Sequence, residues 1–561
     1  MIQDMIKHTL HQSLYLRCLV YFFSLVWLLP NHYPPWGAFH NDAFAAFILL
    51  LVAAIVFYIT APRQAVWHWH TVAILACAFI PLGQYLAGQI TWFGTAWINM
   101  AYLAGLACAV ALGTQWEKHA PGRCGDFLFS ALLSAGLLSV AISLCQWLDL
   151  NVSDLWVLKS DRRPFGNLSQ ANQTATLYVL STIGCAWLYR RKKISGLLAG
   201  FLTALLLIGL AMSGSRTGWV NALLIGVVLV GWSYKSSHKR WAATAVAGVA
   251  FLGLFISILP WLGSLLALSE PVDWASRSLL NSRDVIWSLV WDAATRHPIL
   301  GYGWGQTLPA TLNVAADHPP LVSVTTYSHN LFLDLLLWNG LILGVILCFA
   351  IASWVLWIAS RVKTLGQWLL LLYLSVLGLH AMSEFPLYYA YFLLPAGMIA
   401  GMLGQQVGAP VAVTTGRKPL IALFVLAGGF LTVTIRDYLH VETGFTAVRF
   451  ESANMKHNFP TTPPDVWALT DLRGAIVMAR WQPEKGSSAE DLETMKSIAL
   501  TYASGNNILK MAKAYGLNGD KKNAIYWLQI GCHATPEWVC PKMRVLWESD
   551  DRLAAMPWPI K

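Results

Sequence analysis

Long apolar stretches recur along the first 436 residues, separated by short polar breaks. Thirteen approach the ~20 residues a helix needs to cross a bilayer. They fall at about 15–30, 43–61, 70–86, 97–114, 126–147, 171–189, 194–212, 217–234, 240–262, 330–360, 367–383, 387–405 and 419–436. This pattern predicts an all-α polytopic membrane protein with about 12–13 transmembrane helices. The 330–360 run is long enough for one tilted helix, or for a re-entrant entry followed by a span. Before it lies a long, less apolar loop, about 263–329, ending on His329 and Asn330. A polar pair at the mouth of a membrane helix predicts a reaction centre at the bilayer surface.

From Asp437 onward the composition is that of a soluble chain, which predicts a membrane domain over 1–436 and a helical domain over 437–561. Within the latter, Ile508–Pro536 resembles one tetratricopeptide helix pair, with Tyr515, Gly516, Ala524 and Pro536 near the expected places; an ordinary helical hairpin fits the same residues. Such a tail would hold or position a protein partner. Cys532 and Cys540, in GCHATPEWVC, would form a small-loop disulfide in an oxidising compartment or remain two buried thiols.

Composition agrees with the pattern. The chain is 56% hydrophobic and 12% charged, with mean hydropathy +0.52, which excludes a soluble globule. From Asp437 onward 14 Lys+Arg face 14 Asp+Glu, so the net charge of +10 resides wholly in the first 436 residues. Nucleic acid is therefore excluded as a partner, and the charge reports topology instead. With a cytoplasmic N-terminus, the inside loops hold Lys7, Arg17, Arg63, Lys118, Arg123, Arg190–Lys193, Lys235, Lys239, Arg240, Arg361, Lys363, Arg417 and Lys418. The first apolar segment lacks a small-residue cleavage site and reads as an uncleaved anchor. The tail then lies outside, in the periplasm of a Gram-negative cell.

The outside loops retain Lys159, Arg162, Arg163, Arg216, Arg277, Arg283 and Arg296. Arg216 sits in SGSRTG, with almost no loop around it. Arginines kept on the disfavoured side, at helix ends, predict an anion at the outer leaflet, and a guanidinium fork suits a diphosphate. Lipid headgroups or surface ion pairs would use the same residues. On that side His329 offers a neutral imidazole, a base suited to a hydroxyl near pH 7, or else a helix-end histidine bonded to backbone. Gly301–Gly305, GYGWG, has no following Lys-Ser/Thr and reads as a tight turn, not a nucleotide loop. His318 reads as loop surface. His380 and Glu384, four apart, share a helix face and would bind an acceptor, support His329 or pair structurally. The outer loops before the tail offer no Asp-x-Asp or Glu-x-Asp pair, which argues against a metal-dependent site. The 28 tryptophans suit interfacial belts.

Four stretches carry a family resemblance: RPFGNLSQANQTAT (163–176), SGSRTGWV (213–220), SRDVIWSLVWDAATRHPILGYGWGQ (282–306) and YSHNLFLDLLLWNGLILG (327–344). Together they resemble the O-antigen ligase superfamily of membrane glycosyltransferases, with a GT-C-like architecture. RPFGNLSQAN and HAMSEFPLYYAYFLLPAG (380–397) are similar to its protein-glycosylating branch, the PglL-type O-oligosaccharyltransferases that include pilin glycosylation ligases. The resemblance implies inverting, metal-independent and cofactor-free transfer of a whole glycan from undecaprenyl diphosphate to Ser or Thr of a periplasmic protein such as a pilin. It implies His329 as general base and Arg216 and Arg283 on the donor diphosphate, with Arg163 there too or tying its loop to a glycan. Asp284 would orient Arg283, and Asn330 would orient His329 or cap the following helix. The rival readings are a lipid A–core O-antigen ligase, an O-antigen polymerase, a lipid-linked glycan transporter and an assembly scaffold.

Overall fold

The structure, a computed structural model, describes residues 18–60, 64–160, 163–236, 238–268, 283–320 and 324–560. Lys7, Arg17, Arg63, Arg162 and Arg277 lie outside the described residues. Each predicted apolar segment is met by helix: α1 (Cys18–Trp27), α2 (Phe39–Thr60), α3 (Trp69–Cys77) with α4 (Ile80–Leu86), α5 (Phe93–His119), α6 (Arg123–Trp147), α7 (Ala171–Arg190), α8 (Gly196–Ser213), α9 (Arg216–Ser236) and α10 (Lys239–Leu265). After α11 (Arg283–Arg296) and α12 (Thr307–Val314) come α13 (Leu331–Arg361), α14 (Leu365–Ala381), α15 (Ala390–Gln406) and α16 (Arg417–Ser452). Among the described residues nine helices are long and apolar enough to cross a membrane. The fold is that of an all-α polytopic membrane protein.

By its contacts the chain forms two compact units: Met1–Ala76 with Tyr102–Ser276 and Trp354–Leu431, and Cys77–Ala101 with Arg277–Ser353 and Thr432–Lys561. In the first, α7 is the hub. Nearly every face of it is buried, so it can carry polar side chains that pair inside the protein instead of facing lipid. Ser181 Oγ donates to Leu132 O at 2.7 Å, and Tyr178 OH to Ser139 O at 2.8 Å. This is why α7 lacks the hydropathy of a lipid-facing span. Helices α5 and α15 approach backbone to backbone at Gly113 and Gly401, where a Cβ would meet Met398 O at 2.1 Å and Val110 O at 2.0 Å. Gly397 and Gly401 have the small-xxx-small spacing that permits such contact.

This unit also sorts its helix ends. At one, Arg191 forks onto Asp126 (3.0 and 3.1 Å), and Glu117 accepts from Gly122 N and Gln406 Nε2. The predicted inside residues Lys118, Arg123 and Arg190–Lys193 share that end. A two-stranded antiparallel sheet that the hydropathy pattern did not predict sits there too, β1 (Gln64–His68) on β2 (Val411–Gly416), with a bulge between Trp67 and His68.

In the second unit, α16 runs on to Ser452 and the tail follows as α17 (Thr470–Arg480), α18 (Ala489–Thr501), α19 (Gly505–Leu517), α20 (Lys521–Ala534) and α21 (Val539–Glu548). Buried Asp437 ties the tail to α16: its carboxylate accepts the N–H groups of Trp467, Ala468 and Leu469 at 2.6–3.1 Å and pairs with Arg436 at 2.8 Å. The Ile508–Pro536 stretch forms the hairpin α19–α20, with Asp520 capping α20 through Asn523 N. The tail core extends beyond the tail, since Leu308 and Leu312 of α12 and Ala315 pack with Met495, Ile508, Met511 and Trp527.

His318 is not loop surface. Its Nε2 lies 2.9 Å from Asp292, and its carbonyl faces His533 Nδ1 of the tail at 3.2 Å. Asp292 also binds Arg296, which reaches Asp317 at 2.8 Å; Arg296 first and His318 second hold the Asp292 carboxyl below its ordinary range. A long-range contact with the tail covers what a local reading takes for an exposed turn.

Of the two fates for the tail cysteines, pairing is realised: Cys532 and Cys540 form a disulfide across a separation of 8 residues. A loop this short removes modest chain entropy. Cys540→Ser should lower tail stability by about 2 kcal/mol, read as an earlier urea midpoint for proteolysis within α20–α21. An unchanged midpoint would show that the bridge contributes nothing.

Candidate active site

The run 330–360, at whose mouth the sequence predicts a reaction centre, is a broken helix. α13 is interrupted at Gly340 (φ 73°, ψ 169°), so the re-entrant alternative, a half-helix followed by a span, describes it better than one tilted rod. The loop before it fills the break. Tyr302 N and Gly303 N donate to Leu337 O and Trp338 O, both at 2.9 Å, and Leu341 N donates to Pro298 O at 2.7 Å. The Leu337 and Trp338 carbonyls and the Leu341 N–H, freed by the interruption, thus find partners in that loop. GYGWG is the turn the sequence predicted, with Gly301, Gly303 and Gly305 all at positive φ. Gln84 locks the arrangement by bonding Trp338 O, Asn339 Oδ1 and Trp304 N.

The half-helix begins at the predicted polar pair. Asn330 caps it, its Oδ1 accepting from Phe332 N at 3.0 Å and Leu333 N at 3.3 Å. Capping is therefore what Asn330 does. His329 is half-buried, with its backbone in the left-handed region at φ 57°. That conformation costs about 1 kcal/mol for a non-glycine residue and persists where the surroundings impose it. Here they do. Ser328 is fully buried and fixed on three sides: its N–H donates to Asp334 Oδ1 at 3.1 Å, its carbonyl accepts Trp287 Nε1–H at 3.0 Å, and its hydroxyl donates to Asn330 O at 2.7 Å. Arg283 and exposed Asp284 open α11, and Arg283 stands one turn before Trp287 on the same face. Arg283, Asp284, His329 and Asn330 thus fall in one unit, and α11 reaches the histidine turn through Trp287.

Arg163, Arg216, His380 and Glu384 fall in the other unit. Arg163 donates to Ser213 O at 2.6 Å and Asn172 Oδ1 at 3.1 Å. Asn172 Oδ1 also accepts the Ser215 hydroxyl at 2.8 Å, while its Nδ2 donates to Glu384 at 3.0 Å. Ser215 in turn caps α9 through Gly218 N at 3.1 Å, directly before Arg216. The connection from Glu384 through Asn172 and Ser215 sets the helix end that carries Arg216. His380 is buried and meets Thr176 Oγ1 at 2.8 Å, so it and Glu384 both brace α7. Beside Arg163 opens a cavity of about 520 Å³ lined also by Gln146, Trp147, Lys159 and Trp219.

Sequence reasoning missed Asn172, Thr307, Ser328 and Asp334. One signal was legible. Asp334 is the single carboxylate in the apolar run Leu331–Arg361, and an ionisable residue in such a run marks function by default.

The profile of a family described as O-antigen ligase matches residues 201–348, and that of a virulence factor membrane-bound polymerase C-terminal region matches 368–536. A general O-oligosaccharyltransferase of Acinetobacter baylyi is 28% identical over 512 residues, covering 87% of each chain. A ComP-specific O-oligosaccharyltransferase of the same species is 24% identical over 395 residues, 69% of this chain and 70% of its own. The O-antigen ligase match runs from within α8 to beyond the histidine half-helix, and together these likenesses support an O-oligosaccharyltransferase of the O-antigen ligase superfamily.

Proposed function

We propose that this chain glycosylates proteins, moving a preassembled oligosaccharide from a polyprenyl-diphosphate carrier, undecaprenyl diphosphate, to a serine or threonine hydroxyl. The observation that carries the reading is the built turn around His329, in a chain similar over 87% of its length to a general O-oligosaccharyltransferase. In the reaction the acceptor oxygen attacks the anomeric carbon as the bond to diphosphate breaks, with inversion. His329 takes the hydroxyl proton. Arg216 and Arg283 neutralise charge on the departing diphosphate, and Arg163, already engaged with Ser213 and Asn172, orders the helix end that holds Arg216.

The reaction side is the periplasmic face of the inner membrane, with 1–436 as the membrane domain and 437–561 as the periplasmic one. Two features support that orientation: basic residues gathered at the opposite helix ends of the first unit, and the tail disulfide, which an oxidising compartment maintains.

The test is expression with a lipid-linked glycan and a candidate pilin in a bacterium without its own ligases, followed by intact-mass measurement of the pilin. The expected result is a shift of one glycan mass. Glycan on lipid A–core instead, with the pilin unmodified, would move the chain to the lipopolysaccharide ligases.

A further inference from the structure

We propose that Asp334 is the positioning residue for His329, an assignment that rests on the reading of His329 as the base. Asp334 is 1% exposed and is the one charged residue of the half-helix that ends at Gly340. A carboxylate in that setting carries a large desolvation cost, which only specific hydrogen bonds offset. Both bonds to its Oδ1 lead away from its own helix: one from Ser328 N–H at 3.1 Å, the other from Thr307 Oγ1–H at 3.1 Å. The Thr307 oxygen accepts Trp338 Nε1–H at 2.8 Å, one turn along the half-helix from Asp334, so the threonine is held from two sides.

What this carboxylate fixes is the peptide entering His329. Ser328 N is held by Asp334, Ser328 O by Trp287, and Asn330 N by the Ser328 hydroxyl at 3.1 Å. With the residues before and after it held, the left-handed backbone of His329 is kept in place, and its Cα–Cβ bond leaves the turn in one direction. A general base must be aimed to within a fraction of an ångström. A neutral packing residue at position 334 would leave the Ser328 N–H and the Thr307 hydroxyl buried without an acceptor, and the turn would be free to return to an ordinary φ.

The experiment compares Asp334→Leu and Asp334→Asn in the full-length protein in detergent, with purified lipid-linked glycan and an acceptor peptide. Asp334→Leu should lower kcat by about 100-fold while KM for the acceptor stays within about twofold. Asp334→Asn, which retains an oxygen at Oδ1, should recover transfer to within about fivefold of the parent. In parallel, carbethoxylation of His329 by diethyl pyrocarbonate, followed by mass spectrometry, should run at a changed rate in Asp334→Leu and at the parental rate in Asp334→Asn. An unchanged kcat in Asp334→Leu with an unchanged modification rate overturns the proposal, as does a loss that follows only the folded fraction. The modification rate separates the two claims. If His329→Ala retains transfer, the base assignment is wrong, yet a changed rate in Asp334→Leu still shows that Asp334 positions His329.

Discussion

His329→Ala is expected to slow glycan transfer by about 10²–10⁴-fold, the usual contribution of a positioned general base. A serine or threonine hydroxyl is a weak nucleophile, and its proton must leave as the new glycosidic bond forms. Alanine removes the acceptor for that proton. The left-handed backbone at φ 57° is held on either side by the bonds of Ser328 and Asn330. Folded yield and melting temperature should therefore stay near those of the parent, and donor binding should be retained. The check is initial rate by intact mass of the acceptor, normalised to folded protein. Transfer within about threefold of the parent at equal expression would remove His329 from the chemistry and return the tail-scaffold reading to contention.

The second large effect concerns the fold. Gly340→Ala should destabilise the protein by on the order of 4 kcal/mol, from backbone strain and steric overlap together. At φ 73° and ψ 169° the residue occupies a region reserved for glycine, and a Cβ there would meet Ile299 O at 2.4 Å, a backbone atom that no rotamer change can move. The facing Gly301 is equally confined, its Cβ meeting Gly340 N at 2.4 Å. Relieving either overlap means pulling the 298–303 loop out of the break, which strands the Leu337 carbonyl and leaves Trp338 O to Gln84. Folded yield in detergent and melting temperature provide the measurement, with Ile342→Ala as control because its side chain is 64% exposed. A Gly340→Ala protein that melts within about two degrees of the parent would show that the helix interruption is dispensable.

Apolar length alone placed the membrane helices, since a bilayer imposes that length on each span and needs no partner to do so. The polar pair before α13 was legible for a related reason: non-apolar residues abutting a long apolar run stand out in one dimension. What could not be read locally depends on chain partners far away. β1 and β2 pair across more than three hundred residues, and neither is long enough to announce itself. His318 looks like a surface turn until His533 arrives from the tail. Asn330 left two roles open because a cap and an orienting group are the same residue type, and only the bonds to Phe332 N and Leu333 N decide. Asp334 was visible as a lone acid, but its meaning lay in Thr307 and Ser328, which approach from other elements.

α12 belongs to two structures at once. Leu308 and Leu312 are part of the tail's hydrophobic core, while Thr307, at the head of the same helix, bonds the carboxylate that fixes the histidine turn. Replacing the chain from residue 437 onward with that of a related protein would thus set a foreign hydrophobic surface against a resident α12. Crossovers that carry 307–317 along with the tail keep both faces matched, whereas a tail transplanted alone leaves α12, with its Thr307 bond to Asp334, against a foreign surface. The hydrophobic unit built on the tail is thus discontinuous in sequence, and its smaller piece lies more than a hundred residues upstream of the larger.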